Sequence, residues 1–237
     1  MRLSQYASAE KWPKQLQTLT QEQLRIKDDF MKRWLEVLPR KYGLMERFNH
    51  RYPAKVARRK GRVLEIGCGL GSHIPLESMS GNEYYALDLR PEIAARAAER
   101  FPEVHVIVGD CQRRLDFPDG FFDRVLAIHV LEHLPNLPAT IGEVRRLLKP
   151  DGQFSIVIPC EGGLAYTLAR KISAQRLFEK WYGMSYDWFI KTEHINLPSE
   201  ILGELEPHFR AQSRSYFPLG FPSITLNLAI GLDCVPK

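Results

Sequence analysis

Three glycines at alternate positions, in Val63-Leu64-Glu65-Ile66-Gly67-Cys68-Gly69-Leu70-Gly71-Ser72, follow directly on an apolar run. Glycine has no Cβ and adopts positive φ without strain, so such a loop turns sharply and lets its backbone approach a ligand. Asp88 closes the next β-like run, Tyr84-Tyr85-Ala86-Leu87-Asp88, 21 residues after Gly67. An acid at that separation can accept hydrogen bonds from both hydroxyls of a ribose. The pattern reads as a nucleoside cradle, but not a dinucleotide one. In the pyrophosphate fingerprint G-x-G-x-x-G the third glycine would stand where Ser72 does, and Glu65 would repel a pyrophosphate. An acid at position 65 suits a cationic ligand instead. The alternative for Gly67, Gly69 and Gly71 is a tight turn from strand to helix with no ligand.

Histidine is the side chain whose ordinary pKa lies nearest neutrality, so it is the first candidate for proton transfer. Two candidate bases emerge, His133 in His129-Val130-Leu131-Glu132-His133-Leu134 and His194 in Lys191-Thr192-Glu193-His194-Ile195-Asn196. His129, Glu132 and His133 stand at i, i+3 and i+4, a spacing that also suits a metal on one helical face. Structural hydrogen bonding competes with both roles, and no metal is assigned. Cys68, Cys111, Cys160 and Cys234 lie far apart with no C-x-x-C pair, which removes the usual zinc and redox spacings. They are read as reduced thiols that pack.

These groups need elements to hold them. Short β-rich runs near 62–66, 83–88, 104–108, 123–128 and 153–158 alternate with helical stretches near 72–79, 91–100 and 137–148. That alternation predicts a doubly wound, mostly parallel α/β sheet. Residues 1–60 read as a helical N-terminal cap, with apolar residues at helix spacing from Leu24 to Leu38. A helix from Pro198 to about Glu206 precedes two β-like runs at 209–218 and 225–235. Between the fifth strand and that helix, residues 161–198 form a long insertion carrying Tyr166, Phe178, Trp181, Tyr182, Tyr186, Trp188 and Phe189. Its late part has the bulk to act as a lid over an acceptor pocket; the competing reading packs these rings onto the sheet.

The glycine run resembles motif I, E/D-x-G-x-G-x-G, of the class I Rossmann-like methyltransferases that use S-adenosylmethionine (SAM). Further matches in the same order extend the resemblance over about residues 61–160. It implies a seven-stranded sheet with an antiparallel C-terminal hairpin, and a SAM-binding domain over 61–237. By the same resemblance Glu65, Gly67, Cys68, Gly69 and Gly71 form the cofactor loop, Asp88 holds the ribose and Leu89 flanks the adenine. Asp110 accepts the adenine amino group with Cys111 beside it, and His129 contacts the cofactor. A helix cap is the competing reading for Asp110. The stretch Phe121–Leu134 is most like the enzymes that methylate quinone precursors, sugars, lipids and other small metabolites. The expected activity is methyl transfer to a small or carrier-linked acceptor, at oxygen. The alternatives are a nucleic-acid-directed methyltransferase, an inactive SAM-binding module and an NAD-dependent oxidoreductase.

The 237 residues make one large domain, or one with an appendage, at about 150 residues per domain. With 44% apolar and 26% charged residues the chain is neither disordered nor collagen-like. No run approaches the ~18 uncharged apolar residues that span a bilayer, and Met1–Lys14 lacks the apolar core of a secretory signal, so a cytoplasmic location is expected. The formal charge is +5, yet nine Lys/Arg against one acid, Glu46, fall between Arg40 and Arg62. Such a stretch is a solvated helical face or a partner for phosphate or an anionic membrane. Nucleic acid is not expected, because no binding motif accompanies it and no Asn-Pro-Pro-aromatic clamp for a flipped base follows the fourth strand. Peripheral membrane contact stays open, and the oligomeric state is not specified.

Overall fold

The computed structural model describes residues 11–41 and 43–237. The expectations placed on residues 1–10, a helical cap without a secretory signal, lie outside them. Seven strands form one sheet in the order β3-β2-β1-β4-β5-β7-β6. They are β1 (Gly61–Ile66), β2 (Asn82–Asp88), β3 (His105–Val108), β4 (Phe122–Ile128), β5 (Leu148–Pro159), β6 (Phe209–Phe217) and β7 (Ala229–Pro236). The first five run parallel, and β7 lies antiparallel between β5 and β6. Starting from β1 the chain builds outward to β2 and β3, then returns to add β4 and β5 on the other side. The order therefore reverses between β1 and β4, and the carboxyl ends of those strands open the crevice where such sheets take ligands.

The central strands read as continuous apolar runs because both faces are covered. Val63–Ile66 and Arg124–Ile128 are buried throughout. α3 (Pro91–Arg100) starts on a proline that loses no needed N–H, and α4 (Leu137–Leu147) starts at Asn136, whose side chain accepts from the Ala139 N–H at 3.4 Å. Phe122, Phe154, Leu137 and Ile156 meet in the largest core cluster. Truncating one of these phenylalanines to alanine costs about 3–5 kcal/mol.

The helix expected near 72–79 is one 3-10 turn, Ile74–Leu76. Pro75 and the Ser78-Met79-Ser80-Gly81 run deny it further turns, and Glu77 is drawn inward instead. Fully buried Arg124 donates to Glu77 through both terminal nitrogens at 2.9 and 2.8 Å, and His73 Nε2 lies 3.0 Å from the same carboxylate. Burial alone would raise the Glu77 pKa, but His73 and Arg124 bring it down to about 2.

In the N-terminal region, α1 (Gln21–Lys41) and α2 (Gly43–Val56) are helical, whereas residues 11–20 are not. That stretch is tied to the body by Lys14, whose ammonium donates to Glu200 and to the Ile195 carbonyl at 2.7 Å, and by the Trp12 indole on Glu204. Of the basic 40–62 stretch, Arg58, Arg59 and Arg62 pair with Asp233, Asp151 and Glu83.

Residues 164–182 form one helical rod: α5 (Leu164–Arg170), a π turn over Lys171–Gln175 and α6 (Arg176–Tyr182), ended by Gly183 at φ +64°. α7 (Asp187–Glu193) and α8 (Pro198–Leu205) follow. Of the aromatic residues in this region, Tyr166 packs on the main core cluster, whereas the others meet α1. Phe30 makes edge contacts with Phe178 and Phe189 at 5.1 and 5.0 Å, and Trp181, Tyr182 and Trp188 join the same cluster.

Candidate active site

The glycine loop departs from the end of β1, with φ of +67°, +55° and +73° at Gly67, Gly69 and Gly71, where any other residue is strained. Gly67 and Gly71 are also required by packing: a Cβ would strike Val130 Cγ2 at 2.5 Å in the first and the Phe101 ring at 2.6 Å in the second. Gly69 differs. A Cβ there meets nothing within 4 Å, so this glycine borders open space, as a cradle for a ligand requires. Its N–H donates to Asp88 Oδ2 at 3.0 Å. Asp88 Oδ1 accepts from the Arg90 backbone N–H at 3.0 Å and from Arg90 Nε at 3.1 Å.

A cavity of about 800 Å³ opens beside this loop. Glu65, Gly67, Cys68, Gly69, His129, His133 and His194 all border it, so the loop and both candidate bases are brought to one space. Gly71, Asp88, Leu89, Asp110 and Cys111 do not border it. Asp88 ends β2 and Asp110 lies two residues past the end of the neighbouring parallel β3, the two joined by the Gly109 N–H on the Asp88 carbonyl at 3.0 Å, with exposed Leu89 beside them. The Asp110 carboxylate accepts from the Gln112 N–H at 2.9 Å and so serves a turn. Burial pushes the Cys111 thiol up to about 11 and the Cys68 and Cys160 thiols up to about 12. None of them is a thiolate nucleophile at neutral pH.

Glu65 is buried and accepts the Tyr84 hydroxyl at 2.9 Å. Burial raises its pKa, against the opposing pull of His73 and Tyr84.

At the end of β4, His129 is the one non-glycine residue with positive φ among those described, at 53°. The strained backbone is held by its N–H on the Val157 carbonyl at 2.9 Å and by Nδ1 on Glu132 Oε1 at 3.0 Å. Glu132 is fully buried. Burial would raise its pKa, but the hydrogen bond to His129 and the nearby His133 and His194 bring it down to about 2. Burial lowers the pKa of His133, only partly opposed by Glu132.

Four hydrogen bonds bring His194 to His133. The Ile195 and Asn196 N–H groups donate to the Glu132 carbonyl at 2.9 and 3.0 Å, and Asn196 Nδ2 donates to the Leu131 and Leu134 carbonyls, both at 2.8 Å. The two imidazoles meet edge to face with centroids 5.0 Å apart. His194 Nδ1 in turn lies 2.8 Å from Glu161 Oε2, and Arg170 pairs with the other oxygen of that carboxylate. Glu161, Arg170 and Asn196 are site residues that sequence reasoning missed. The signal available for Glu161 was an acid two residues past the buried end of β5.

His129, His133 and His194, backed by the Glu132 and Glu161 carboxylates, thus face one cavity, which Phe30, Trp34, Tyr186 and Phe189 line with an apolar wall. Glu132, His133 and His194 could also hold a metal: their ligand atoms lie within 4.8 Å of one another, and Glu132 Oε2 is buried without a partner.

Residues 34–202 match a family model described as a methyltransferase domain. Sterol 4-C-methyltransferase strm-1 of Caenorhabditis elegans is 31% identical over 99 residues, 39% of this chain and 29% of that protein. Phosphatidylethanolamine N-methyltransferase of Cereibacter sphaeroides is 35% identical over 112 residues, 45% of this chain and 55% of that protein. The chain thus spans well under two thirds of these curated relatives. Among solved structures, a TehB-like SAM-dependent methyltransferase from Corynebacterium glutamicum superposes with a TM-score of 0.61 at 18% identity, covering 90% of this chain and 100% of that one. The likeness shows a shared fold.

Proposed function

The chain belongs to the methyltransferase-domain family, and from that premise we propose that it transfers a methyl group from SAM to the oxygen of a small acceptor with an apolar, lipid- or sugar-linked body. The observation that carries this reading is the cavity joining the glycine loop, the two histidines and the apolar wall. SAM, when bound, supplies an electrophilic methyl group on a cationic sulfur.

The rest falls to the chain's own residues. The Gly67–Gly71 backbone and Asp88 would hold the nucleoside, with Leu89, Asp110 and Cys111 framing the base. Glu65 answers the positive charge, since a cation nearby favours its ionised form. His194, fixed at Nδ1 by Glu161, takes the acceptor's proton at Nε2, and His133 is the second candidate base. Holding the acceptor in line with the methyl group is worth about 7–11 kcal/mol.

The names of the relatives support an apolar acceptor, since sterols and phosphatidylethanolamine are lipids. Oxygen rests on the paired histidines, because a hydroxyl is the acceptor that most needs a base. The test is transfer of labelled methyl from SAM to a panel of long-chain alcohols, phenols and amines. Transfer confined to hydroxyl acceptors is expected. SAM binding with transfer to none would favour an inactive binding module. A second reading rests on the unpartnered Glu132 oxygen: a divalent cation on Glu132, His133 and His194 would activate the hydroxyl instead. A rate unchanged by chelator assigns proton transfer to the histidines; a loss restored by added zinc or magnesium assigns the metal.

A further inference from the structure

Thirteen large apolar side chains stand exposed among the described residues, and six of them fall on two segments that touch. Leu164, Leu168 and Ile172 lie on the helical rod, and Leu219, Phe221 and Leu226 on the β6–β7 connection, each between 45% and 76% exposed. The segments are clamped at their roots by the Ala165 N–H on the Thr225 carbonyl at 2.9 Å, and Gly163 packs so closely on Ile224 that no Cβ fits between them. Spacing of four residues puts Leu164, Leu168 and Ile172 on one stripe of the helix. The opposite stripe, with Tyr166, Ala169 and Ser173, borders the cavity.

The charge on these two segments is positive, with exposed Glu179 just beyond them. Residues 162–178 hold Arg170, Lys171 and Arg176 and no acid, and residues 218–228 hold no charge at all. Lys171 and Arg176 are exposed. The basic helix α2 borders the same region, since its Phe48 stacks on Phe217 at 5.2 Å and exposed Arg47 stands at the cavity. An exposed apolar stripe flanked by cations is the composition of a helix that lies in a lipid headgroup region. A second copy of the chain fits less well, because a two-fold interface would set Lys171 and Arg176 against their own like charges.

We propose that the outer face of residues 164–176 together with the 218–228 connection docks on an anionic phospholipid surface, which places the cavity-bordering helix at the bilayer. Docking does not depend on methyl transfer, so its failure leaves the catalytic reading untouched. The test is co-sedimentation of the full chain with vesicles of equal parts phosphatidylglycerol and phosphatidylcholine, against vesicles of phosphatidylcholine alone. The mixed vesicles are expected to bind at least about tenfold more protein, with binding reduced by salt. Leu168→Glu/Ile172→Glu, at solvent-facing positions and checked for an unchanged melting temperature, should abolish it, and Lys171→Glu/Arg176→Glu should remove the preference for phosphatidylglycerol. Equal sedimentation of wild type and Leu168→Glu/Ile172→Glu overturns the proposal. So does binding to neither vesicle, or a dimer in sedimentation velocity that the same double variant dissociates.

Discussion

His194 Nδ1 lies 2.8 Å from Glu161 Oε2, across 33 residues of sequence. An imidazole anchored through one nitrogen presents the other in a fixed direction. Replacing His194 by alanine is therefore expected to lower kcat by about 10²- to 10⁴-fold while SAM affinity stays within about twofold. Glu161→Gln keeps an acceptor but loses the charge, and should give a smaller fall in kcat with the acceptor KM unchanged. Single-turnover rates and calorimetry separate the two effects. A His194→Ala protein with normal turnover removes it from the chemistry.

Burial holds the His133 pKa below the ordinary histidine value. Neutral imidazole is the form that accepts a proton, so activity carried by His133 is present above that depressed pKa and lost as pH falls through it. The acid limb of the kcat profile is then expected below about pH 6.5, and His133→Asn should flatten it. A limb unmoved by this substitution assigns the titration elsewhere.

Asp88→Ala removes charge-assisted hydrogen bonds to the ribose worth about 1.5–3 kcal/mol, a tenfold to hundredfold loss of SAM affinity. Arg90→Ala should leave affinity unchanged or raised, since the Arg90 guanidinium occupies the same carboxylate in the free protein. Calorimetry on both folded variants measures it; equal SAM affinity in wild type and Asp88→Ala withdraws the ribose assignment.

Glu77, brought to a pKa of about 2 by His73 and Arg124, ties stability to pH. Its depressed folded-state pKa means that its contribution is complete above the ordinary glutamate value and drains away as pH falls from about 4.5 towards 2. Urea midpoints at pH 5 and pH 3 should differ more in wild type than in Glu77→Gln, whose midpoint is lower at pH 5. Identical pH slopes would place the acid sensitivity in other carboxylates.

The aromatic residues of the insertion divide by position. Phe189 reaches both the cavity and the α1 cluster, while Trp181 belongs to the cluster alone. Phe189→Leu is expected to raise the acceptor KM severalfold, and Trp181→Ala to lower the melting temperature with KM intact. If 161–198 covers the bound acceptor, its hydrogen exchange should slow when product cofactor and acceptor are both present. Slow exchange already in the free protein would reduce the segment to ordinary packing.

The sheet was legible because buried parallel strands leave continuous apolar runs and because glycine has so few substitutes at positive φ. Residues 72–79 misled for the opposite reason: apolar Ile74, Leu76 and Met79 look helical, but the pull of Arg124 on Glu77 is a contact 47 residues long in sequence. His133 and His194 could each be picked out by residue type. Their meeting could not, since it depends on the Asn196 amide bridging two carbonyls of a distant turn. The aromatic cluster was visible as composition, yet its partner Phe30 sits in another helix and leaves no periodic trace in residues 161–198.

The π turn at Lys171–Gln175 sets the phase of the helical rod. A π turn holds one more residue than an α turn, so everything beyond it is rotated by about 100° relative to a regular helix. That offset lets a single rod turn Leu164, Leu168 and Ile172 outward while Phe178 points at Phe30. Deleting one residue between 171 and 175 would straighten the helix without removing any aromatic ring, and would nevertheless unseat α6 from α1. In directed evolution or grafting of this segment, length is accordingly a stricter constraint than composition.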